Sequence, residues 1–526
     1  MTGAWNLVRL ILRRDRILLP IWVLLLGALP GTYATSFFEL LPDDAARATF
    51  AATTASNPSV EAMLGPIYGS SIGAFTAQRV GFLYAIVGLV NLLTVIRHTR
   101  TEEDAGRREL VAATAISRHA PLTAVLAVTF AANLLLGLIA AAGLSKTGLP
   151  SSGSLLIGLT LAGTGWVFAA IGALVAQLTE GAGAARGLGI AVLGAAFLVK
   201  AAGDGAASSV SWASPLAWGQ HSRPYEGDQW WVAALFVIVA AVIAVPAYRM
   251  AASRDVGAGM VPARLGPAEA APRLSTPLAL AWRLHRGLLA GWTAGFALAG
   301  LLFGGAAKAA SDVLSSNKEM ADLLAKLSGG SSVTDLYLAE IMGVSAIVAA
   351  AYGIQAALRM RAEETGLRME PVLATSVGRI KWAAAHLVFA VLGPAVALAA
   401  TGLASGLTYG LAVHDLSGQL PRVLGAAVVQ LPAVLVLTGI TVALFGLAPK
   451  LTSAAWGALA VCLFLGQLGA LLQLSQGALD ISPFTHVPKL PGGTVTATPL
   501  ITLTAVAAAF LVVGLYAFRR RDVTTG

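Results

Sequence analysis

Two short runs hold the densest charge in this chain. Glu102, Glu103, Arg107, Glu109 and Arg118 form the first, and Glu363, Glu364, Arg368, Glu370 and Arg379 the second. Carboxylates and guanidiniums mixed in this way suit salt bridging and the docking of another protein, not the making of bonds. Glu103 and Arg107 stand at i, i+4 with the acid first, the favourable order for a pair on a helix, and Glu364 and Arg368 repeat it. Other chemistries lack their residues. One cysteine, Cys462, excludes a disulfide framework or a multi-cysteine metal site, and seven scattered histidines make no ligand cluster. No G-x-x-x-x-G-K-S/T run is present, so a phosphate-cradling loop of that type is missing. Glu39, Asp43 and Asp44 could serve as catalytic acids, as in a membrane glycosyltransferase with a polyprenyl donor. Asp after Pro42 reads more simply as a helix N-cap. No catalytic residue, resident cofactor or metal is expected in this chain.

The elements that carry these runs follow from composition. Apolar residues make up 57% and charged residues 12% of the 526, and the mean hydropathy is +0.76, so lipid is the solvent for most of the chain. A hydrocarbon core of about 30 Å needs about 20 apolar residues in a helix. Windows of that length predict twelve spans: 17–36, 78–97, 121–144, 155–178, 185–203, 230–248, 287–307, 338–357, 383–405, 423–447, 454–475 and 499–517. With both termini inside, 25 of the 35 basic residues fall on inner segments, as the positive-inside rule demands. Much of the excess positive charge behind the net +9 then faces an anionic inner leaflet, and no nucleic-acid role is needed to explain it.

The chain also repeats itself. Residues 100–118 match 361–379 at nine of nineteen positions, Ser214-Pro215 matches Ser482-Pro483, and Arg254-Asp255-Val256 matches Arg521-Asp522-Val523. Arg13, Arg16, Leu18, Leu19 and Trp22 match Arg283, Arg286, Leu288, Leu289 and Trp292. The expected fold is therefore an all-α polytopic membrane protein of about twelve transmembrane helices, arranged as two parallel six-helix repeats. The repeats cover 1–248 and 280–526, joined by a cytoplasmic Pro/Gly-rich linker over 249–279. Each is preceded by an interfacial amphipathic helix, Trp5–Arg16 and Leu280–Arg286.

The run E-E-x-x-G-R-R-E-L-V-x-x-T-x-I over 102–116 resembles the loop after the second span of type-2 ATP-binding-cassette exporter permeases. Residues 57–79, 214–225 and 253–268 resemble its single-chain, duplicated branch of polyketide-antibiotic exporters of the tetronasin type. The resemblance implies that both charged loops seat cytosolic ATPase subunits, two copies to one permease, with ATP and Mg bound on the ATPase. It places the chain as a multi-pass protein of a bacterial plasma membrane with both termini cytoplasmic, exporting a hydrophobic small molecule. One departure stands out: Gly366-x-x-x-Glu370 replaces Gly106-x-x-Glu109, and Pro371 replaces Leu110. Leu327-Ser328-Gly329-Gly330-Ser331 imitates the signature of cassette ATPases but falls between spans 7 and 8 on the outer side, where a turn is expected.

Charged groups at membrane depth are costly and so are candidates for the transport path. Arg79 and Glu340 open spans 2 and 8 at equivalent repeat positions; both are expected to snorkel separately to water at the interface, with pairing across the central axis at the outer end as the alternative. In the resembled family the first, second and fifth spans line the route. That implication favours Asn91, Gln355, Gln467 and Gln473 over Asn133 or His386. A proton-coupled multidrug antiporter is the rival reading; it needs a titratable carboxylate at mid-depth, and the sequence offers none there.

Overall fold

The computed structural model describes residues 3–55, 58–112, 116–206, 208–261, 268–316, 332–468 and 475–523. All regular structure among these residues is helical. In lipid, a helix satisfies every backbone donor and acceptor within itself, so an apolar chain of this composition has little alternative. The protein is an all-α polytopic membrane protein. Eleven helices among the described residues are long and apolar enough to cross a bilayer. They cover eleven of the twelve expected spans. The remaining window, 454–475, begins a helix at Ala454 as expected, and 469–474 lie outside the described residues.

The chain forms two compact units, Met1–Gly266 and Pro267–Gly526. The first opens with α1 (Ala4–Arg14), whose Leu7, Val8 and Ile11 pack on the apolar cluster around Val95 and Val125 while Arg9, Arg13 and Arg14 stay exposed. This is the expected amphipathic helix. Asp15 ends it, and its carboxylate takes His98 at 2.6 Å and Arg97 at 3.0 Å. The spans follow as α2 (Leu18–Leu40), α3 (Ile72–His98), α4 (Ala120–Lys146), α5 (Ser151–Leu178), α6 (Ala182–Gly205) and α7 (Trp231–Ser253). The most buried of them, α5, packs against α3, α4 and α7. Small residues permit this: a methyl group on Gly137 of α4 or Gly158 of α5 would collide with the other's carbonyl oxygen.

The second unit contains α8 (Pro277–Ser316), α9 (Val333–Thr365), α10 (Arg379–Ala412), α11 (Leu416–Val428), α12 (Leu431–Leu447), α13 (Ala454–Leu468) and α14 (Ala497–Arg520). The expected separate interfacial helix is corrected here. Leu280–Arg286 forms the first turns of α8, one continuous helix of 40 residues. At about 1.5 Å per residue that is roughly twice the thickness of the hydrocarbon core. The physical reason lies at one position: where the first unit has Asp15, the repeat places His285, which is buried and stacked on Phe389. With no carboxylate to gather the end of the next span, the helix runs on.

Met260 N–H donates to the Gln177 carbonyl and Val261 N–H to the Leu178 carbonyl, both at 3.0 Å, so residues up to 261 are packed on the first unit.

Candidate functional site

Each unit builds its charged loop in the same way. In the first, α3 ends at His98 and a short helix, Arg100–Asp104, follows. The chain then reverses at Gly106, whose φ of +69° is a left-handed conformation, before a second short helix at Arg107–Ala112. That turn overrides the expected i, i+4 pair. Arg107 bonds Glu102, not Glu103, through Nε at 2.7 Å and Nη2 at 2.9 Å. Arg368 likewise bonds Glu363 through Nε at 2.9 Å, because the second loop reverses at Leu367, with φ +55°. Gly106 and Leu367 are in register, so the displaced Gly366 leaves Glu109 and Glu370 at equivalent places.

The second acid of each run is buried. The Glu103 carboxylate is fully enclosed and accepts from Arg254 at 2.7 and 2.9 Å and from Arg100 at 2.7 Å; it also contacts Arg108. Glu364 repeats this, accepting from Arg521 at 2.6 and 2.9 Å and from Arg361 at 3.0 Å. Both pairings are bidentate forks, the strongest geometry open to an arginine and a carboxylate. The far end of each loop meets the same arginine: Arg118 donates to the Arg254 carbonyl oxygen, and Arg379 donates to the Arg521 carbonyl oxygen at 2.7 Å. The repeated Arg-Asp-Val motif was visible in the sequence, but its partner, about 150 residues away, was not.

The first loop is a hub. Arg14 of α1 bonds Glu102 at 2.5 Å, and Asp104 accepts the Ala182 N–H at 2.6 Å, capping α6. Arg100 donates to the carbonyls of Gly257 and Ala258 at 2.6 and 2.9 Å, fixing the segment after α7. Arg254 also bonds Gln177 at 2.7 Å. Burial lowers the Arg254 pKa, and burial together with the neighbouring guanidiniums of Arg254, Arg100 and Arg118 brings Arg108 down to about 10.

What faces solvent is narrower than the sequence suggested. Glu103, Glu363 and Glu364 are buried, and Glu102 is committed to Arg14 and Arg107. Glu109 and Glu370 are exposed and make no ion pair among the described residues; Arg107 and Arg368 are half exposed beside them. In the second unit Glu370, Ser376, Val377, Arg379 and Val523 line an open concavity of about 580 Å³.

The path candidates separate. Asn91 and Asn133 exchange hydrogen bonds at 2.6 and 2.9 Å and are fully buried between α3 and α4. Gln355 is exposed and accepts from the Trp292 indole at 3.0 Å. Arg79 is exposed with its guanidinium 5.9 Å from the Tyr33 ring, two turns inside α3 and not at its opening; Glu340 is exposed on α9. The Gln467 side chain and all of Gln473 lie outside the described residues, as does Leu327–Ser331. Asp43 caps the helix Asp44–Ala55 by accepting the Ala46 N–H at 2.7 Å, and Asp44 pairs with Arg47 at 3.1 Å, so these acids are structural.

Sequence reasoning missed a buried ion pair in α6, Lys200 with Asp204 at 3.0 Å, although the i, i+4 spacing was in plain sight. Near it, the stretches 58–79 and 214–225 fold together. His221 sits between Tyr68 at 3.0 Å and Ser211 at 2.9 Å, Gln220 bonds the Leu64 carbonyl at 3.0 Å, and Ser71 bonds Glu226 at 2.7 Å. Burial lowers the His221 pKa and raises that of Glu61.

The description "Multidrug efflux system permease Rv1217c, C-terminal domain" matches residues 274–519. The chain is also 44% identical over 523 residues to the multidrug efflux system permease protein Rv1217c of Mycobacterium tuberculosis, a match covering 99% of this chain and 95% of that protein. With that identity sustained over nearly the whole of both chains, the protein belongs to the family of Rv1217c-type efflux system permeases.

Proposed function

We propose that this chain is the permease subunit of an ATP-driven exporter of hydrophobic or amphipathic compounds, antibiotics and other drugs among them. A separate cassette ATPase supplies hydrolysis, with ATP and Mg on that subunit, and two copies of it seat on the two charged loops from the cytosol. The observation that carries this reading is the loop itself, built twice on the same ion-pair frame with an exposed acid, Glu109 or Glu370, in its second short helix. A loop needed only for topology has no use for such a frame, since Lys and Arg alone set sidedness. The name of the relative supports drug efflux as the process. An exposed carboxylate steers a partner of opposite charge and fixes its register.

The test is co-purification of the chain with the cassette ATPase encoded beside it, repeated with Glu109→Arg and Glu370→Arg. The reading expects one permease to two ATPases for the native chain and loss of that complex in the double reversal. Purification of the native chain without any ATPase would refute it. A proton-coupled antiporter finds little support: Asp204 is already committed to Lys200.

A further inference from the structure

The two exposed acids sit on loops whose two ends are pinned to one residue. In the first unit the loop begins at Glu103, which grips the Arg254 guanidinium, and closes at Arg118, which holds the Arg254 carbonyl. In the second, Glu364 and Arg379 hold Arg521 by the same two groups. Each arginine is the residue directly after the last span of its unit, and its N–H continues that helix by donating to Met250 or Ala517, at 3.1 and 2.9 Å. The loop is thus fastened to three spans. Two are the helices that enter and leave it, α3 and α4 or α9 and α10. The third is α7 or α14, remote in sequence and joined to the loop through the arginine.

Resting on the exporter reading above, we propose that Arg254 and Arg521 are positioning residues that latch the last span of each unit to its charged loop, so that a push on the loop moves that span with the other two. Three features suit them to this. The fork is rigid and planar, and a lysine could not reproduce it. The carboxylates are enclosed, so water does not compete for them. The arrangement recurs although its surroundings differ: Arg108 contacts Glu103, whereas the second loop has the apolar Met369 in register, buried in the core. A bond kept only to complete one local core would have no reason to survive that change.

A merely structural bond and a latch differ in one quantity, the molecules transported per ATP hydrolysed. The experiment uses the full chain with its neighbouring ATPase in proteoliposomes, ethidium as the transported probe, and the variants Arg254→Gln, Arg521→Gln, Arg254→Lys and Arg521→Lys. The latch predicts that the Gln variants still bind the ATPase in native amounts and still hydrolyse ATP. Ethidium moved per ATP falls at least tenfold, and Lys restores part of it. Unchanged transport per ATP in both Gln variants overturns the latch while leaving the exporter reading intact. Failure of both Gln variants to accumulate as folded protein assigns the pair to folding alone and equally overturns it. Either Gln variant that accumulates as folded protein decides the matter if the other is lost. Ethidium transport by the native chain without ATP would remove the exporter reading and the latch together.

Discussion

Glu103 and Glu364 show how little a residue type says about its task until its partners are known. In the sequence they are two acids among others in runs suited to docking; in the structure each is enclosed by arginines. Removing one member of such a buried pair leaves the other charged and unsolvated, at a cost of about 3–5 kcal/mol. Glu103→Ala is therefore expected to lower the thermal midpoint of the detergent-solubilised protein far more than Glu109→Ala, which removes a solvated group. Equal midpoints would contradict the enclosure. Leu367 supplies a second check. It holds the left-handed turn that Gly106 holds in the first loop, and a side chain there costs about 1–2 kcal/mol. Leu367→Gly should stabilise the second unit and Gly106→Leu destabilise the first, read by the same melting curves. Neither effect was legible beforehand. The run of charges was plain, but the turn between Glu103 and Arg107 depends on a backbone angle, and the i, i+4 rule assumes a helix that stops two residues too soon.

At the scale of elements, most spans were legible because twenty apolar residues leave few options in lipid. What escaped were joints between elements. Asp15 divides α1 from α2, whereas His285 at the matching place lets α8 run unbroken, a difference set by one side chain that hydropathy does not weigh. Lys200 and Asp204 were passed over because the window around them reads as apolar. The joint of short helices between α6 and α7 carries a titratable group. His221 is held between Tyr68 and Ser211, and burial pushes its pKa below the ordinary histidine value. The unfolded chain then binds more protons than the folded one as pH falls through the ordinary value, so stability is full above it and declines below. Lowering the pH from about 7.5 to about 5 should loosen residues 209–230, seen as faster hydrogen exchange relative to the rest of the unit. His221→Gln should remove that pH dependence; an unchanged dependence would assign it to another group.

For the whole molecule, the sequence resemblance and the family agree on a membrane permease, and the structure adds how each unit holds its charged loop. The loops' register was readable because nine of nineteen positions are shared between them. Their fastening to the last span was not, because an ion pair between residues 151 apart leaves no local pattern. The exporter reading places the energy source outside this chain. Its most direct test is uptake of ethidium into inside-out vesicles carrying the permease and its ATPase, with ATP and a proton gradient supplied separately. Uptake should require ATP and the ATPase and persist when a protonophore collapses the gradient. Uptake driven by the gradient alone, in vesicles without the ATPase, would contradict the account.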